Sequence, residues 1–141
     1  MELTGKTVVV VEDAVFPRRR MCASLRNAGA ARVLEARNGD EALAVLKAED
    51  PDVMVLDLNL VADEPGRGLN GLDVVDQLRE ESPGGILLRP AVVVVTAHAE
   101  DSTVLRELEE RGIGWLLAKP VPEAELVRVV ARAGSGVPAA A

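Results

Sequence analysis

Two adjacent acids, Glu12-Asp13, follow the apolar run Thr7–Val11. A third acid, Asp57, stands in the run Val53–Leu58, with Asn59 two residues on. A hydroxyl, Thr96, ends the run Ala91–Thr96, and Lys119-Pro120 follows the run Trp115–Leu117. Each group thus sits near the end of its own apolar run. If those runs are neighbouring strands, three carboxylates, a hydroxyl and an ammonium meet at one edge of a sheet. The acids repel one another; Lys119 offsets one charge, and a divalent cation would neutralise the other two. Oxygen ligands without Cys or His favour Mg²⁺ or Ca²⁺ over zinc. A cation of that kind beside a lysine and a hydroxyl suits phosphoryl transfer, where catalysis is mostly positioning and charge neutralisation. An aspartate can be the nucleophile, forming an aspartyl phosphate.

The elements that must position these groups are legible in the hydrophobic pattern. Five short runs are rich in β-branched residues: Thr7–Val11, Arg32–Glu35, Val53–Leu58, Ala91–Thr96 and Trp115–Leu117. Three of them are nearly continuous Val, Leu and Met, as expected of strands buried on both faces. Helical spacing fills the gaps. Met21, Cys22, Leu25 and Ala28 recur every three to four residues, with Pro17 near the start and Gly29 as a stop. Asn38-Gly39-Asp40 opens a second helix with Ala42, Val45 and Leu46 on one face, ended by Asp50-Pro51. A third runs from Leu72 to Glu80 and stops at Ser82-Pro83-Gly84-Gly85. A fourth uses Val104, Leu105 and Leu108 and ends at Gly112, and a fifth starts near Pro122 and carries Leu126, Val127 and Val130. Strand–helix repeated five times predicts a parallel sheet covered by helices on both faces. In such an open α/β sheet, ligands bind at the carboxyl ends of the strands.

The bulk properties narrow the function. The chain has 141 residues, 48% of them hydrophobic, enough for one domain with a core that needs no staples. One Phe, one Trp and no Tyr leave little for the base stacking that single-stranded nucleic-acid binding uses. A formal charge of −7 opposes non-specific contact with nucleic acid or anionic membrane. Cys22 is the single cysteine, so no internal disulfide can form. No apolar stretch approaches the ~20 residues that span a bilayer, and the run Val8–Val11 meets acids too soon for a signal peptide. A cytoplasmic protein is expected. Residues 1–133 read as the domain and 134–141 as a flexible tail or linker. The chain then acts by binding alone or is part of a longer protein.

The pieces VVVVED, MVLDLNL, VVVVTAH and WLLAKP resemble the motif set of bacterial response-regulator receiver domains of two-component systems, over roughly residues 6–133. The resemblance implies a flavodoxin-like (βα)5 three-layer sandwich with strand order 2-1-3-4-5. It implies that Asp57 is the phosphoacceptor, Asp13 the direct Mg²⁺-binding acid and Glu12 an acid acting through water. Asn59 stands where the family supplies a backbone carbonyl to Mg²⁺. Thr96 matches the hydroxyl that closes onto the phosphate and Lys119 its ion-pair partner, and the Lys119-Pro120 bond is cis in similar proteins. The donor would be a phosphohistidine on a histidine kinase or phosphotransfer protein. The added charge biases a two-state backbone. The surface of the fourth helix, fifth strand and fifth helix then meets a downstream partner, or a second copy in a homodimer.

Some residues depart from that pattern. Leu116 stands where the family usually has Tyr or Phe, whose ring turns inward on activation. Trp115 is adjacent, but strand neighbours point to opposite faces, so packing is its expected role. The segment Val61–Asn70 is longer than is usual there; it reads as a tolerated surface insertion, or as a gate or partner-recognition loop. Gly66-Arg67-Gly68-Leu69-Asn70-Gly71 is a literal G-x-G-x-x-G, read as turn chemistry because a dinucleotide site needs it directly after a strand. His98 reads as a solvated loop residue, with an influence on phosphate lifetime as the alternative. Arg18-Arg19-Arg20 reads as a solvated face, with kinase contact as the alternative, and Cys22 as a core residue. Two rival functions remain: a receiver-like interaction module that is never phosphorylated, and an aspartate-nucleophile phosphohydrolase. The latter usually has a second acid two residues after the nucleophile, where this chain has Asn59.

Overall fold

The computed structural model describes residues 1–59, 70–87 and 89–136. Strands β1 (Thr7–Val11), β2 (Arg32–Ala36), β3 (Val53–Asp57), β4 (Ala91–Thr96) and β5 (Trp115–Ala118) alternate with helices α1 (Val15–Asn27), α2 (Gly39–Glu49), α3 (Gly71–Glu80), α4 (Ser102–Glu110) and α5 (Glu123–Gly134). All strand pairs are parallel, in the order β2-β1-β3-β4-β5. The five expected strands and helices are all present, with ends shifted by a residue or two.

Alternation along the strands builds two apolar layers. Val8, Val10, Val53, Val55, Val93 and Val95 face one side, where Met21, Cys22 and Leu25 of α1 and Leu126 and Val130 of α5 cover them. Val9, Val11, Met54, Leu56 and Val94 face the other, under Leu43 of α2, Val74 of α3 and Leu108 of α4. This explains why three strands read as unbroken apolar runs: both faces are covered. Each fully buried Val contributes about 1.5 kcal/mol or more relative to exposure. Trp115 packs against the first layer and Leu116 against the second, as the two-residue period requires.

Local chemistry sets the helix ends. Asn38 caps α2, its side chain accepting the Glu41 N–H at 2.8 Å. The same helix stops at Asp50, in the left-handed region at φ 43°, just before Pro51. Asn70 and Asp73 form a reciprocal capping box at the start of α3. Gly29, at φ 93°, carries the chain out of α1. No helix among the described residues is long and apolar enough to cross a membrane.

Because the chain runs from β1 to β2 by way of α1 and then crosses back over β1 to β3 by way of α2, the strand order reverses between β1 and β3. The crevice at their carboxyl ends is the expected ligand position. The ladder brings Asp57 opposite Val95 and Thr96 opposite Ala118.

Candidate functional site

Glu12, Asp57 and Thr96 are each no more than 2% exposed, an unusual fate for two carboxylates in one pocket. Glu12 is the first residue beyond β1, its N–H donating to the Ala36 carbonyl of β2 at 3.0 Å. Asp13 follows, half-buried. Asp57 closes β3. Its carboxylate accepts the Asn59 N–H at 3.0 Å on Oδ1 and the Lys119 ammonium at 3.1 Å on Oδ2. Lys119 also lies 3.4 Å from Glu12 Oε1, so one cation bridges two buried acids. The Lys119 N–H donates to the Thr96 carbonyl at 2.9 Å, which fixes where its side chain starts. The Lys119-Pro120 bond is cis.

The sequence-predicted residues are therefore brought together, with two qualifications of detail. Asn59 reaches Asp57 through its backbone N–H, and its side chain is exposed. The Thr96 hydroxyl accepts the His98 N–H at 3.0 Å and makes no hydrogen bond to the acid pocket among the described residues. His98 is exposed, and its backbone N–H makes its one hydrogen bond to the site among the described residues.

Crowding acids out of water has an electrostatic consequence. Burial first, then the Asp57 carboxylate beside it, push Glu12 up to about 8. For Asp57, burial opposes ionisation most, yet contact with Glu12, the Asn59 N–H and Lys119 together hold it below the usual carboxylate range. Burial also works against the Lys119 ammonium, but its bonds to Asp57 and Glu12 outweigh this and raise it. Of the two, Glu12 therefore holds a proton more tightly than Asp57 does.

A divalent cation fits this donor set. Glu12, Asp13 and Asp57 each place a carboxylate oxygen within 4.8 Å of the others. Glu12 Oε2 is buried without a hydrogen-bond partner. An orphaned oxygen facing two further carboxylates is what a hard cation would satisfy.

Two residues of the site's frame were not anticipated. Arg18 is buried, not solvated: its Nη1 donates to the Glu12 carbonyl at 3.0 Å and its Nε pairs with Glu35 at 3.1 Å. Arg19 and Arg20 are exposed, as expected of the run. Gly71 starts α3 against the end of β3. A Cβ there would stand 2.8 Å from the Asp57 carbonyl oxygen and 2.9 Å from Leu58 Cα. The G-x-G-x-x-G reading had marked this glycine only as turn chemistry. Of the long segment Val61–Asn70, only Asn70 lies among the described residues.

The family model for the response regulator receiver domain matches residues 8–131. The nitrate/nitrite response regulator protein NarL of Escherichia coli (strain K12) is 36% identical over 102 residues, spanning 72% of this chain and 42% of NarL. The positive alginate biosynthesis regulatory protein of Pseudomonas aeruginosa is 33% identical over 129 residues, spanning 89% of this chain and 46% of that protein. The chain thus spans less than half the length of these curated relatives. Among solved structures, the receiver domain of NtrX from Brucella abortus superposes with a TM-score of 0.75 at 26% identity, covering 91% of this chain and 98% of that one. With the acid pocket at the carboxyl ends of β1 and β3, and a family match over nearly its whole length, the chain belongs to the response regulator receiver domains of two-component signalling.

Proposed function

We propose that Asp57 accepts a phosphoryl group from the phosphohistidine of a histidine kinase or phosphotransfer protein in the cytoplasm. The resulting charge then switches the domain to control a downstream partner. The observation that carries this reading is the Asp57 carboxylate itself, buried yet kept ionised by Lys119 and the Asn59 N–H inside a ring of acids. In the transfer, the donor's P–N bond breaks and a P–O bond to an Asp57 carboxylate oxygen forms. The imidazole leaves with the electron pair and takes a proton from solvent. Bound Mg²⁺, held by Glu12, Asp13, Asp57 and the Asn59 carbonyl, would supply charge neutralisation at the phosphoryl oxygens.

Lys119 then exchanges Asp57 Oδ2 for a phosphoryl oxygen. The Thr96 hydroxyl is free to leave the His98 N–H for another, drawing the end of β4 inward. Leu116 packs with Leu108 of α4 in the second apolar layer, so no ring rotation is available for the readout. A hollow of about 370 Å³ lies there instead, lined by Leu105, Leu108, Glu109, Ile113 and Leu116 between α4 and β5, and a downstream partner could cover it. On the donor side, a groove of about 410 Å³ runs from Lys119 and Pro120 to Phe16 and Met21 of α1. Phe16, the single phenylalanine, is 81% exposed at the lip of this groove. A protein presenting a phosphohistidine to Asp57 would cover it.

The chain is read as a phosphoacceptor rather than an enzyme acting on external phosphoesters, since Asn59 offers no second acid. The test is intact mass after incubation with Mg²⁺ and acetyl phosphate, with a kinase-supplied control. One added phosphoryl group, absent in Asp57→Asn, is expected. No adduct from either donor, or an adduct unchanged in Asp57→Asn, would favour the unphosphorylated interaction module, the reading that Leu116 favours.

A further inference from the structure

Five polar or charged residues are buried among those described, and three of them form the acid pocket. A fourth, Ser24, bonds within its own helix. The fifth is Arg18, the only buried cation among the described residues, and the pocket's chemistry does not use it directly. Withdrawing a guanidinium from water costs several kcal/mol unless its donors are well engaged. The partners it has found therefore indicate what it is for.

The β1 ladder ends one residue before the acids need to be placed. Glu12 N–H still reaches Ala36 on β2, but among the described residues the Glu12 carbonyl has no strand partner. Arg18 Nη1 supplies one at 3.0 Å. The first turn of α1 returns this side chain toward the residue that precedes the helix. The Arg18 N–H bonds the Ala14 carbonyl at 3.1 Å, so the guanidinium and the turn it grips are tied twice. Glu35, at the end of β2, holds Nε at 3.1 Å and fixes the orientation of the fork. The segment Glu12-Asp13-Ala14 is thereby held by a strand on one side and a buried cation on the other.

We propose that Arg18, oriented by Glu35, is a positioning residue that sets the Glu12-Asp13 carboxylates for the divalent cation by gripping the Glu12 backbone carbonyl. The inference rests on the cation-dependent reading of the site. It makes a prediction opposite in sign to simple electrostatics. Removing a positive charge near a cation site should tighten cation binding, whereas losing the grip on the acid pair should weaken it.

The experiment is calorimetric titration of the full chain with Mg²⁺, comparing wild type, Arg18→Met, Arg18→Lys and Glu35→Gln. Amide exchange at Asp13 and Ala14 is followed in the metal-free proteins. Arg18→Met is expected to weaken Mg²⁺ binding by about tenfold, the scale of a lost outer-sphere partner. It should also speed exchange at those two amides. Arg18→Lys should recover part of the affinity, and Glu35→Gln should weaken it in the same direction by less. Unchanged or tighter Mg²⁺ binding in a folded Arg18→Met overturns the proposal. If that variant does not fold, Glu35→Gln decides, its side chain being partly exposed at 39%, and an unaltered affinity there overturns it. A wild-type chain that binds no Mg²⁺ overturns the cation reading and this inference together. Wild-type binding with indifferent variants overturns the inference alone.

Discussion

Gly71→Ala tests how tightly the third helix is built against Asp57, the proposed phosphoacceptor. The new methyl would meet the Asp57 carbonyl oxygen at 2.8 Å and Leu58 Cα at 2.9 Å, both backbone atoms that no rotamer change can move aside. Restoring ordinary contact requires a retreat of about half an ångström, taken by α3 or by the end of β3. Overpacking of this kind costs about 1–3 kcal/mol. For a domain of this size that lowers Tm by about 4 °C per kcal/mol. If the strand end yields, Asp57 moves with it, and a misplacement of that size slows phosphorylation by about tenfold. Helix propensity argues the other way, because Gly→Ala in a helix is otherwise stabilising by about 0.5–1 kcal/mol. The assays are thermal unfolding and the rate of acetyl phosphate uptake. A Tm equal to or above wild type would refute the close-approach argument outright.

The ionisable and exposed side chains carry further consequences. Glu12 at about 8 stands above its unfolded value of ~4.3, so its contribution to stability is complete below ~4.3 and lost as pH rises through about 8. The metal-free denaturation midpoint should therefore fall as pH rises from ~4.3 to about 8, and Glu12→Gln should flatten that slope; an identical slope in the variant would contradict the assignment of the proton. Burial first, then Glu35, raise the Cys22 thiol to about 11, against ~8.5 unfolded. Its contribution is thus present below ~8.5 and lost as pH rises through about 11. Native protein at pH 8 should resist iodoacetamide while denatured protein reacts, and rapid native alkylation would count against a buried thiol. Phe16→Ala should slow transfer from a protein donor by about tenfold, as expected of an exposed aromatic anchor, and leave acetyl phosphate uptake unchanged. Equal effects on both donors would remove Phe16 from the docking surface.

Much of the fold was legible because strands covered on both faces are written as unbroken Val, Leu and Met, and because helices between them keep their period. The pattern alone could not rank the strands; the order 2-1-3-4-5 came with the family motifs. The acid pocket was legible for the same reason as the strands: Asp57 and Thr96 each end one, and Glu12 and Lys119 each follow one directly. Arg18 was not, because a triple-arginine run looks solvated. Only the packed fold shows that its first member turns back onto Glu12 while the next two face water. Gly71 was hidden differently. Its need for no side chain comes from Asp57 and Leu58, fourteen and thirteen residues earlier in the chain, and no local spacing reveals that approach. The detail at Thr96 also needed coordinates, since a hydroxyl engaged by the His98 N–H reads the same in sequence as one directed at the pocket.

The central claim concerns one carboxylate oxygen, and reduction with borohydride tests it most directly. An acyl phosphate is reduced at its carbonyl carbon, which turns a phosphorylated aspartate into homoserine. The chain is phosphorylated in the presence of Mg²⁺, treated with borohydride, digested and sequenced by mass spectrometry. The account predicts homoserine at position 57 and nowhere else, and none when Mg²⁺ is removed. Homoserine at another acid, or phosphorylated protein that yields none, would contradict it.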